Sequence, residues 1–310
     1  MALADDPWDS TELAAYIPEV WSPIVNEQFF ANAVATNFFT DLSSFVVGGG
    51  DTIHVPNAFT NAFTVQSQAT QATVVTTDAP ATTDDTLSVN THSYIAHLLG
   101  DKDAAQILRG TYNISSIYAR QAGGTLLENL EAAIFALQST VSTNTVNDTA
   151  SVINDVDLRS AISTEESNDV PRSELAFFFH PYSYWSQIHA IQKYYDASQA
   201  GWMGNTPVTS GNFGVTANQQ ASLKGALFGI PVYTSSKVVN TLLACKNLLA
   251  HKSTFAFATQ TPGGNRIRVQ SANWLENLGV LTVMDMINGV KELREEAAVR
   301  IDGSNAFIAS

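Results

Sequence analysis

The residue types best suited to chemistry in this chain are two adjacent serines, one cysteine and six histidines. Serine catalysis needs a serine, a histidine and an acid, with the nucleophile raised on a sharp turn such as Gly-x-Ser-x-Gly. The sequence lacks that turn, and Ser235 and Ser236 follow a β-branched run, which predicts the end of a strand. A serine hydrolase that uses Ser235 or Ser236 with His251 is therefore a remote alternative.

The single cysteine, Cys245, lies in the apolar run "LLACKNLL". Burial in such a run disfavours the thiolate, so the sequence predicts a structural thiol although Lys246 is adjacent. One cysteine permits no intrachain disulfide, and no oxidising compartment is implied. We expect no catalytic residue in this chain.

The histidines do not have the spacing of a metal site. They form neither His-Glu-x-x-His nor any pair four residues apart, and His92 and His97 would point to opposite faces of one strand. The acidic pairs Asp84-Asp85 and Glu295-Glu296 lack a calcium-binding loop around them. The glycine runs at 48–50 and 263–264 lack the patterns that cradle phosphate. We expect no metal and no cofactor.

Charge is scarce and unevenly distributed along the 310 residues. Charged residues make up 14% of the chain, against about 25% in typical soluble proteins. Residues 1–101 contain no Lys or Arg and twelve Asp or Glu, so −12 of the net charge of −14 lies there. Such a region repels phosphate, which argues against sequence-specific binding of DNA or RNA. The low charge favours a surface covered by protein partners, and an acidic arm that maintains solubility is the alternative.

No secretion signal begins at Met1, and no apolar stretch approaches the roughly 18 residues that span a membrane. We therefore expect a soluble protein that works inside a cell or in a particle assembled there.

The first third of the chain predicts extended structure. Residues 1–47 are rich in aromatic residues and lack a regular period, as in an arm that buries its rings elsewhere. Thr52–Val55 alternates as a strand that Pro56 should end. Residues 60–86 are poor in large aliphatic residues and too long for an ordinary loop, which favours a two-stranded excursion. Residues 87–99 supply the returning strand.

Helical periodicity begins after residue 101. One long helix or two abutting helices should occupy about 103–140, with a kink or break at Gly123-Gly124. A short helix is predicted at Asp155–Glu165, a buried strand at "ELAFFFHP", and a helix from Pro181 over "YSYWSQIHAIQKYY". A Gly-rich loop should follow at 196–216. "LKGALFGIPVYTSSKV" then indicates strand, turn and strand, and "GVLTVMDMINGVKELREEAAVRI" two strands, or a strand and a helix, joined around Gly289.

Taken in order, these segments resemble the major capsid proteins of tailed bacteriophages, which have the HK97-type shell fold. The resemblance covers nearly the whole chain and depends on the order and spacing of weak motifs. These motifs are "GDKDAAQ" before a long spine helix, "DLRSAISTEESNDVP" before a buried strand, "GALFGIPVYTSS", "LLAHKSTFAFATQ" and "INGVKELREEAAV".

The resemblance implies a domain map and a function. Residues 1–47 would be the N-terminal arm, 48–97 the extended E-loop, 98–175 with 255–310 the peripheral domain that holds the spine helix, and 176–254 the axial domain. The chain would be a non-enzymatic major capsid protein that forms hexamers and pentamers of an icosahedral shell around double-stranded DNA, which it contacts without sequence preference. It would reside in the virion after assembly in the bacterial host cytoplasm. An encapsulin shell is the nearest alternative.

The resemblance also implies partners. We expect a portal protein, a possible decoration or cement protein and a separate scaffolding protein, because no scaffolding segment of about 100 residues precedes the arm. No membrane partner is expected. Some members of the family weld their shells through an E-loop lysine, but this chain has no lysine before Lys102. That chemistry cannot operate from residues 48–97.

Overall fold

A computed structural model describes residues 30–57, 65, 67, 83–106, 114–188, 191, 223–241, 244–260 and 266–304. Over these residues the fold is α+β, as the sequence predicts, with five α-helices and thirteen β-strands. The helices are α1 (Ala35–Phe38), α2 (Asp101–Gln106), α3 (Ile114–Ala136), α4 (Asp155–Ser167) and α5 (Pro181–Ser183). The strands are β1 (Thr40–Asp41), β2 (Thr52–Asn57), β3 (Thr83–Ser88), β4 (Thr91–Gly100), β5 (Thr145–Val146), β6 (Leu175–Phe179), β7 (Leu223–Leu227), β8 (Ile230–Thr234), β9 (Ala244–His251), β10 (Phe255–Gln260), β11 (Arg268–Trp274), β12 (Gly279–Glu292) and β13 (Ala298–Ser304).

Five strands form a long sheet around β12. The order is β1-β10-β12-β11, and β4 also pairs with β12. The fourteen residues of β12 pair with β10 and β11 along one side and with β4 along the other, all antiparallel. Exposure alternates along most of β4, so one face of this strand packs on the protein and the other faces outward.

A second sheet has six strands in the order β5-β13-β9-β6-β8-β7. Its central strand β6, "LAFFF", is buried along its whole length, as predicted. The reason is that successive side chains enter different cores, with Phe178 on one face and Phe177 and Phe179 on the other. The hairpin of β7 and β8 forms one edge of this sheet and turns at Phe228 and Gly229, which confirms the predicted strand, turn and strand.

The long helix α3 connects the two sheets. Leu126, Leu130 and Ile134 on α3 share one core with Phe178 of the six-stranded sheet and Met284 of the five-stranded sheet. Burial of each such side chain is worth about 1.5–3 kcal/mol, so this core stabilises the packing of both sheets on one helix.

The helix α4 covers the opposite face of the six-stranded sheet, where it packs near Phe177 and Phe179. It begins at a capping box, in which the side chain of Asn154 accepts hydrogen bonds from the backbone N–H groups of Val156 and Asp157 and the side chain of Asp157 accepts one from Asn154. The predicted helix over Asp155–Glu165 is therefore confirmed.

Strands β2 and β3 form a separate two-stranded hairpin. Ile53 and Leu87 at its base enter a small third core with Val46 and two alanines of β10. The two-stranded character predicted for the excursion is confirmed at this base. Most of the residues between the two strands lie outside the described part of the chain.

Two strand predictions in this region were wrong. Pro56 does not end β2, since it pairs with Asp84 inside the hairpin. Each strand of an isolated hairpin has a free edge, where a proline nitrogen costs no ladder hydrogen bond. The single strand predicted over residues 87–99 is two strands, because β3 ends at Ser88 and β4 begins at Thr91 in a different sheet.

Two breaks predicted at glycines are absent. The helix α3 runs through Gly123 and Gly124 without a break, and β12 runs through Gly289 as one strand. The two strands predicted over residues 279–301 are present as β12 and β13, but they join at residues 293–297. Gly124 and Gly289 serve close packing instead. A Cβ on Gly124 would meet the ring of Phe30, and one on Gly289 would collide with the carbonyl oxygen of Ser88 where the hairpin leaves the sheet.

The remaining helix predictions hold in part. Two helices, α2 and α3, occupy most of the region predicted as one helix or two, and residues 107–113 between them are not described. Pro181 begins α5 as predicted, and the helix continues as a π-helical turn over Tyr184–Ile188. The rest of that predicted helix, the loop at 196–216 and residues 1–29 lie almost wholly outside the described residues. In the described part of the chain, no helix is long and apolar enough to cross a membrane.

The predicted boundaries at residues 175 and 255 do not follow the two sheets. Strand β5 and helix α4, both before residue 175, pack with the six-stranded sheet, and β13 belongs to that sheet. Strand β12 belongs to the five-stranded sheet. The chain therefore crosses directly between the sheets twice, at residues 252–254 from β9 to β10 and at residues 293–297 from β12 to β13.

Candidate functional site

The residues of the serine hydrolase alternative lie apart. His251 pairs in register with Leu175, at the start of β6, whereas the backbone N–H of Ser235 donates to the carbonyl of Phe179, at its end. The two ends of β6 are about 13 Å apart at roughly 3.3 Å per residue. Ser235 is buried, and its Oγ accepts a hydrogen bond from the backbone N–H of Lys237 (3.2 Å). Ser235 and His251 therefore do not meet as a nucleophile and its base.

The imidazole of His251 is engaged locally. Its Nδ1 lies 2.9 Å from the Oγ of Ser253, and its Nε2 lies 3.7 Å from the carboxylate of Glu174. Burial lowers the pKa of His251, partly offset by Glu174. These contacts hold the turn between β9 and β10.

Cys245 is buried as predicted. Its thiol lies 3.3 Å from Oδ1 of Asn240, and burial raises the pKa of the thiol. The side chain of Asn240 also lies 3.3 Å from Nδ1 of His180. A thiol, an imidazole and an amide therefore lie close together, but burial keeps the thiol protonated and unreactive.

The described histidines are placed singly. His92 lies 3.0 Å from Asp285, and His97 packs against the ring of Tyr118 with centroids 4.8 Å apart. The described residues contain no group of three or more His, Cys, Asp or Glu that could hold a metal ion.

Residues 30–39, which we call the arm after the segment predicted in the sequence, make a larger set of contacts with α3. Gly124, Glu128 and Glu131 are spaced four and three residues apart, so they lie on one face of the helix. The arm runs along this face, with Phe30 against Gly124 and the backbone N–H of Ala31 donating to Glu128 (2.5 Å). We call Gly124, Glu128 and Glu131 the arm-docking face.

Glu131 closes this contact. Although it is fully buried, its carboxylate accepts hydrogen bonds from the backbone N–H groups of Ala35 and Thr36 (both 2.8 Å) and from the hydroxyl of Thr36 (2.7 Å). These donors are unpaired groups at the start of α1, which Glu131 caps. Burial raises the pKa of Glu131, and the hydrogen bonds lower it in part.

The arm continues into the main core through an aromatic cluster. Phe38 and Phe39 pack on Phe178 with ring centroids 5.1 and 5.4 Å apart, and Phe39 also packs on Phe255. Lys237, in the loop after β8, reaches Glu128 at 3.0 Å. The arm is thus held by α3 and by both sheets.

One end of the five-stranded sheet exposes apolar side chains. Leu275 is 83% exposed and Leu278 is 68% exposed, in the turn that joins β11 to β12. Trp274, Val280 and Leu98 beside them are also exposed. We call these five residues the apolar tip. The strand register places Trp274 and Leu98 on one face of the sheet and Val280 on the other, so this end of the sheet is a candidate interaction surface.

A second exposed region lies at the base of the hairpin. Phe45 is 71% exposed and Val47 also faces outward, while Val46 between them is buried. Hydrogen bonds fix this turn, since Thr259 N–H donates to Ser43 Oγ (3.0 Å) and the Gln260 side chain donates to the carbonyl of Val46 (3.0 Å). A fixed turn therefore presents two apolar side chains.

Sequence comparison finds no relatives: no family model and no curated protein matches the chain. Solved structures do match it. The capsid of cyanophage P-SCSP1u matches with a TM-score of 0.69 and 14% identity, over 95% of each chain. The chain has the HK97-type capsid fold. A Mycobacterium phage Che8 structure matches with a TM-score of 0.67 and 18% identity, over 92% of this chain and 97% of that one.

The HK97-type fold is also shared with the capsid of the native GTA particle. That match has a TM-score of 0.66 and 12% identity, and it covers 97% of this chain and 99% of the other. Sequence reasoning anticipated the fold but missed the arm-docking face and the apolar tip. The spacing of Gly124, Glu128 and Glu131 indicates that they share one face of a helix. The glycine pair also predicts a helix break, and that prediction conceals the shared face.

Proposed function

We propose that this chain is the major capsid protein of a tailed bacteriophage, a structural subunit that assembles into hexamers and pentamers of an icosahedral shell around double-stranded DNA. The observation that carries the proposal is the fold, which matches phage capsid structures over nearly the full length of both chains. Ser235 and His251 lie at opposite ends of β6, which supports a structural role over the hydrolase alternative that would use them together.

The exposed surfaces support self-assembly. The apolar tip would be unfavourable in an isolated soluble subunit, and a neighbouring copy would remove it from water. A two-stranded hairpin is marginally stable by itself, so the hairpin of β2 and β3 also calls for a partner surface. Both observations are explained if many copies of the chain pack together.

The sheets suggest a revised domain map. We assign β2, β3 and the residues between them to the E-loop, and residues up to 47 to the arm. The peripheral domain would hold α2, the spine helix α3 and the five-stranded sheet. The axial domain would hold the six-stranded sheet with α4 and α5, so it would include β5 and β13 in addition to residues within 176–254.

The partners follow from this role. A scaffolding protein, a portal protein and a decoration protein would act with the shell, in the host cytoplasm during assembly and in the virion afterwards. The acidic first third of the chain supports contact with DNA that is weak and without sequence preference. No observation favours an encapsulin, for which a bound flavin or cargo peptide would be evidence.

The apolar tip provides a direct test. The double substitution Leu275→Ser and Leu278→Ser should leave the subunit folded, because both side chains are exposed, but should prevent or weaken shell assembly. Sedimentation and electron microscopy of variant and unchanged chain would show the difference, with circular dichroism as the control for folding. Normal particles from the variant would contradict a role for the tip in assembly.

A further inference from the structure

A carboxylate occupies an apolar position on α4. The face of α4 that packs on the six-stranded sheet consists of Leu158, Ala161, Ile162 and Glu165, at the spacing of one helical stripe. Glu165 is fully buried, and within the described part of the chain neither of its carboxylate oxygens has a hydrogen-bond partner. A buried carboxylate without partners is costly, and such a group takes up a proton instead.

One of the segments that join the two sheets lies at the end of α4. We call residues 293–297, between β12 and β13, the sheet link. The side chain of Asn168, just after α4, donates a hydrogen bond to the backbone carbonyl of Glu296 in the link (3.0 Å). This contact holds the link against the end of α4. Burial, with the Glu296 charge as a smaller contribution, raises the pKa of Glu165 to about 8.

The other acidic groups of this region differ in their environments. Glu295 in the link accepts hydrogen bonds from the backbone N–H groups of Ser142 (2.9 Å) and Thr143 (2.8 Å), which lower its pKa to about 2. It therefore stays ionised. Burial raises the pKa of Glu292, at the end of β12, and Glu295 and Glu296 add to that effect.

The basic groups around α4 are already paired. On and beside α4, Arg159 pairs with Asp155 (2.9 Å) and Arg172 pairs with Glu166. On β13, the guanidinium of Arg300 binds Asp302 (3.0 Å) and the carbonyl of Val141.

The basic residue of the sheet link, Arg294, acts on His251, whose pKa it lowers. Strand β5 contributes no charged side chain. In the described part of the chain, Glu296 is the one charged group that shifts the pKa of Glu165.

We propose that Glu165 is a pH-sensitive latch between α4 and the sheet link. In its neutral form the carboxyl packs in the apolar interface, and Asn168 keeps the link in place. When its proton passes to solvent, a negative charge without a hydrogen-bond partner among the described residues remains in an apolar setting near Glu296. This charge releases α4 from its close packing on the six-stranded sheet and on the link.

The latch has a defined pH window. The pKa of Glu165 is higher in the folded chain than the ordinary value of 4.5, so its contribution to stability is complete below pH 4.5. That contribution declines as the pH rises from about 4.5 to about 8, by at most about tenfold in the unfolding equilibrium constant per pH unit. In an assembled shell, and therefore only if the proposed function is correct, the same release would make subunit shape depend on pH.

The test is urea unfolding of the full unassembled chain at pH values from 5 to 9. Glu165→Gln has nearly the shape of the neutral acid, so it should remove this part of the pH dependence and make the chain more stable than the unchanged one at pH 8. Glu166→Gln alters the exposed neighbouring residue and should keep the pH dependence of the unchanged chain. Glu296→Gln should reduce the pH dependence without abolishing it.

Three outcomes would overturn the latch. They are a Glu165→Gln chain with the pH dependence of the unchanged chain, one that is less stable at pH 8, and one that does not fold at neutral pH. Because the readout is unfolding of single subunits, failure of the latch would leave the capsid proposal untouched. Failure of assembly would likewise leave the latch untouched.

Discussion

The ring of Phe30 lies directly against Gly124 of the spine helix, where a Cβ on the glycine would come within 2.7 Å of the ring carbons. The adjacent Gly123 has nothing within 4 Å of the same position. Two neighbouring glycines in one helix therefore have different roles. Only Gly124 makes room for the arm.

Alanine substitutions should separate these roles. Gly123→Ala should stabilise the chain by up to about 1 kcal/mol, since alanine favours a helix. Gly124→Ala should gain the same helical preference and yet destabilise the chain by about 1 kcal/mol or more, because the overpacked arm must shift. Urea unfolding of both variants measures the difference. Equal stability of the two would contradict docking of Phe30 on Gly124.

Glu131 should be one of the positions of the arm-docking face at which a substitution destabilises the chain most. Its replacement by alanine leaves the backbone N–H groups of Ala35 and Thr36 and the hydroxyl of Thr36 without their acceptor in a buried setting. We expect a loss of about 3 kcal/mol in the free energy of unfolding. Hydrogen exchange at Ala35 and Thr36 gives a second readout, since both amides should exchange faster. Unchanged exchange at both amides would refute the capping role.

Asp285 joins three strands of the long sheet. Both of its oxygens accept from the guanidinium of Arg268 on β11 (2.9 and 2.6 Å), and His92 on β4 lies at 3.0 Å. The Arg268 hydrogen bonds, as the main lowering influence, bring the pKa of Asp285 below its ordinary value. This contribution to stability is therefore present above about pH 4 and is lost as the pH falls through the folded-state pKa.

Asp285→Asn should cost about 2 kcal/mol near neutral pH, because Arg268 is only partly exposed. It should also reduce the loss in the free energy of unfolding as the pH falls. Asp84→Asn, which removes the exposed partner of His54, should change stability by less than about 1 kcal/mol. The free energy of unfolding, measured at a series of acid pH values for the unchanged chain and the two variants, gives both effects. If the Asp285→Asn chain denatures at the same acid pH as the unchanged chain, the ion pair of Asp285 and Arg268 does not contribute to the pH dependence of stability.

The hairpin leads to a prediction about assembly. Deletion of residues 60–86, replaced by a short turn, should leave subunits that are soluble and folded, because both sheets and α3 lie outside the segment. Such subunits should fail to form stable shells. Circular dichroism and electron microscopy measure the two properties. Shells of normal stability would show that the segment is not an extended loop that lies on neighbouring subunits.

The sequence predicted those elements whose signals are local. The buried strand "LAFFF", the helix that begins at Asp155 and the hairpin around Gly229 all carry their own periodicity or turn residues, and each is present. Ser235 follows the end of β8 and Cys245 is buried, as the residues around each of them predict.

The predictions that were wrong concern residues whose roles depend on contacts with segments far away in the sequence. Gly124 and Gly289 looked like breaks, since glycine disfavours helices and strands, but each makes room for a segment far away in the sequence. The sequence predicts a helix over Asp155–Glu165 but gives no separate signal for the environment of the Glu165 carboxylate. Only the packing of α4 on the six-stranded sheet shows that its side chain is buried.

The central claim is that this chain builds a closed shell. Electron microscopy of the purified full-length chain, alone and together with a candidate scaffolding protein, tests it most directly. We predict icosahedral particles or isolated hexamers and pentamers, in which the apolar tip and the hairpin contact neighbouring copies. A monodisperse 33 kDa monomer under every condition would contradict the account.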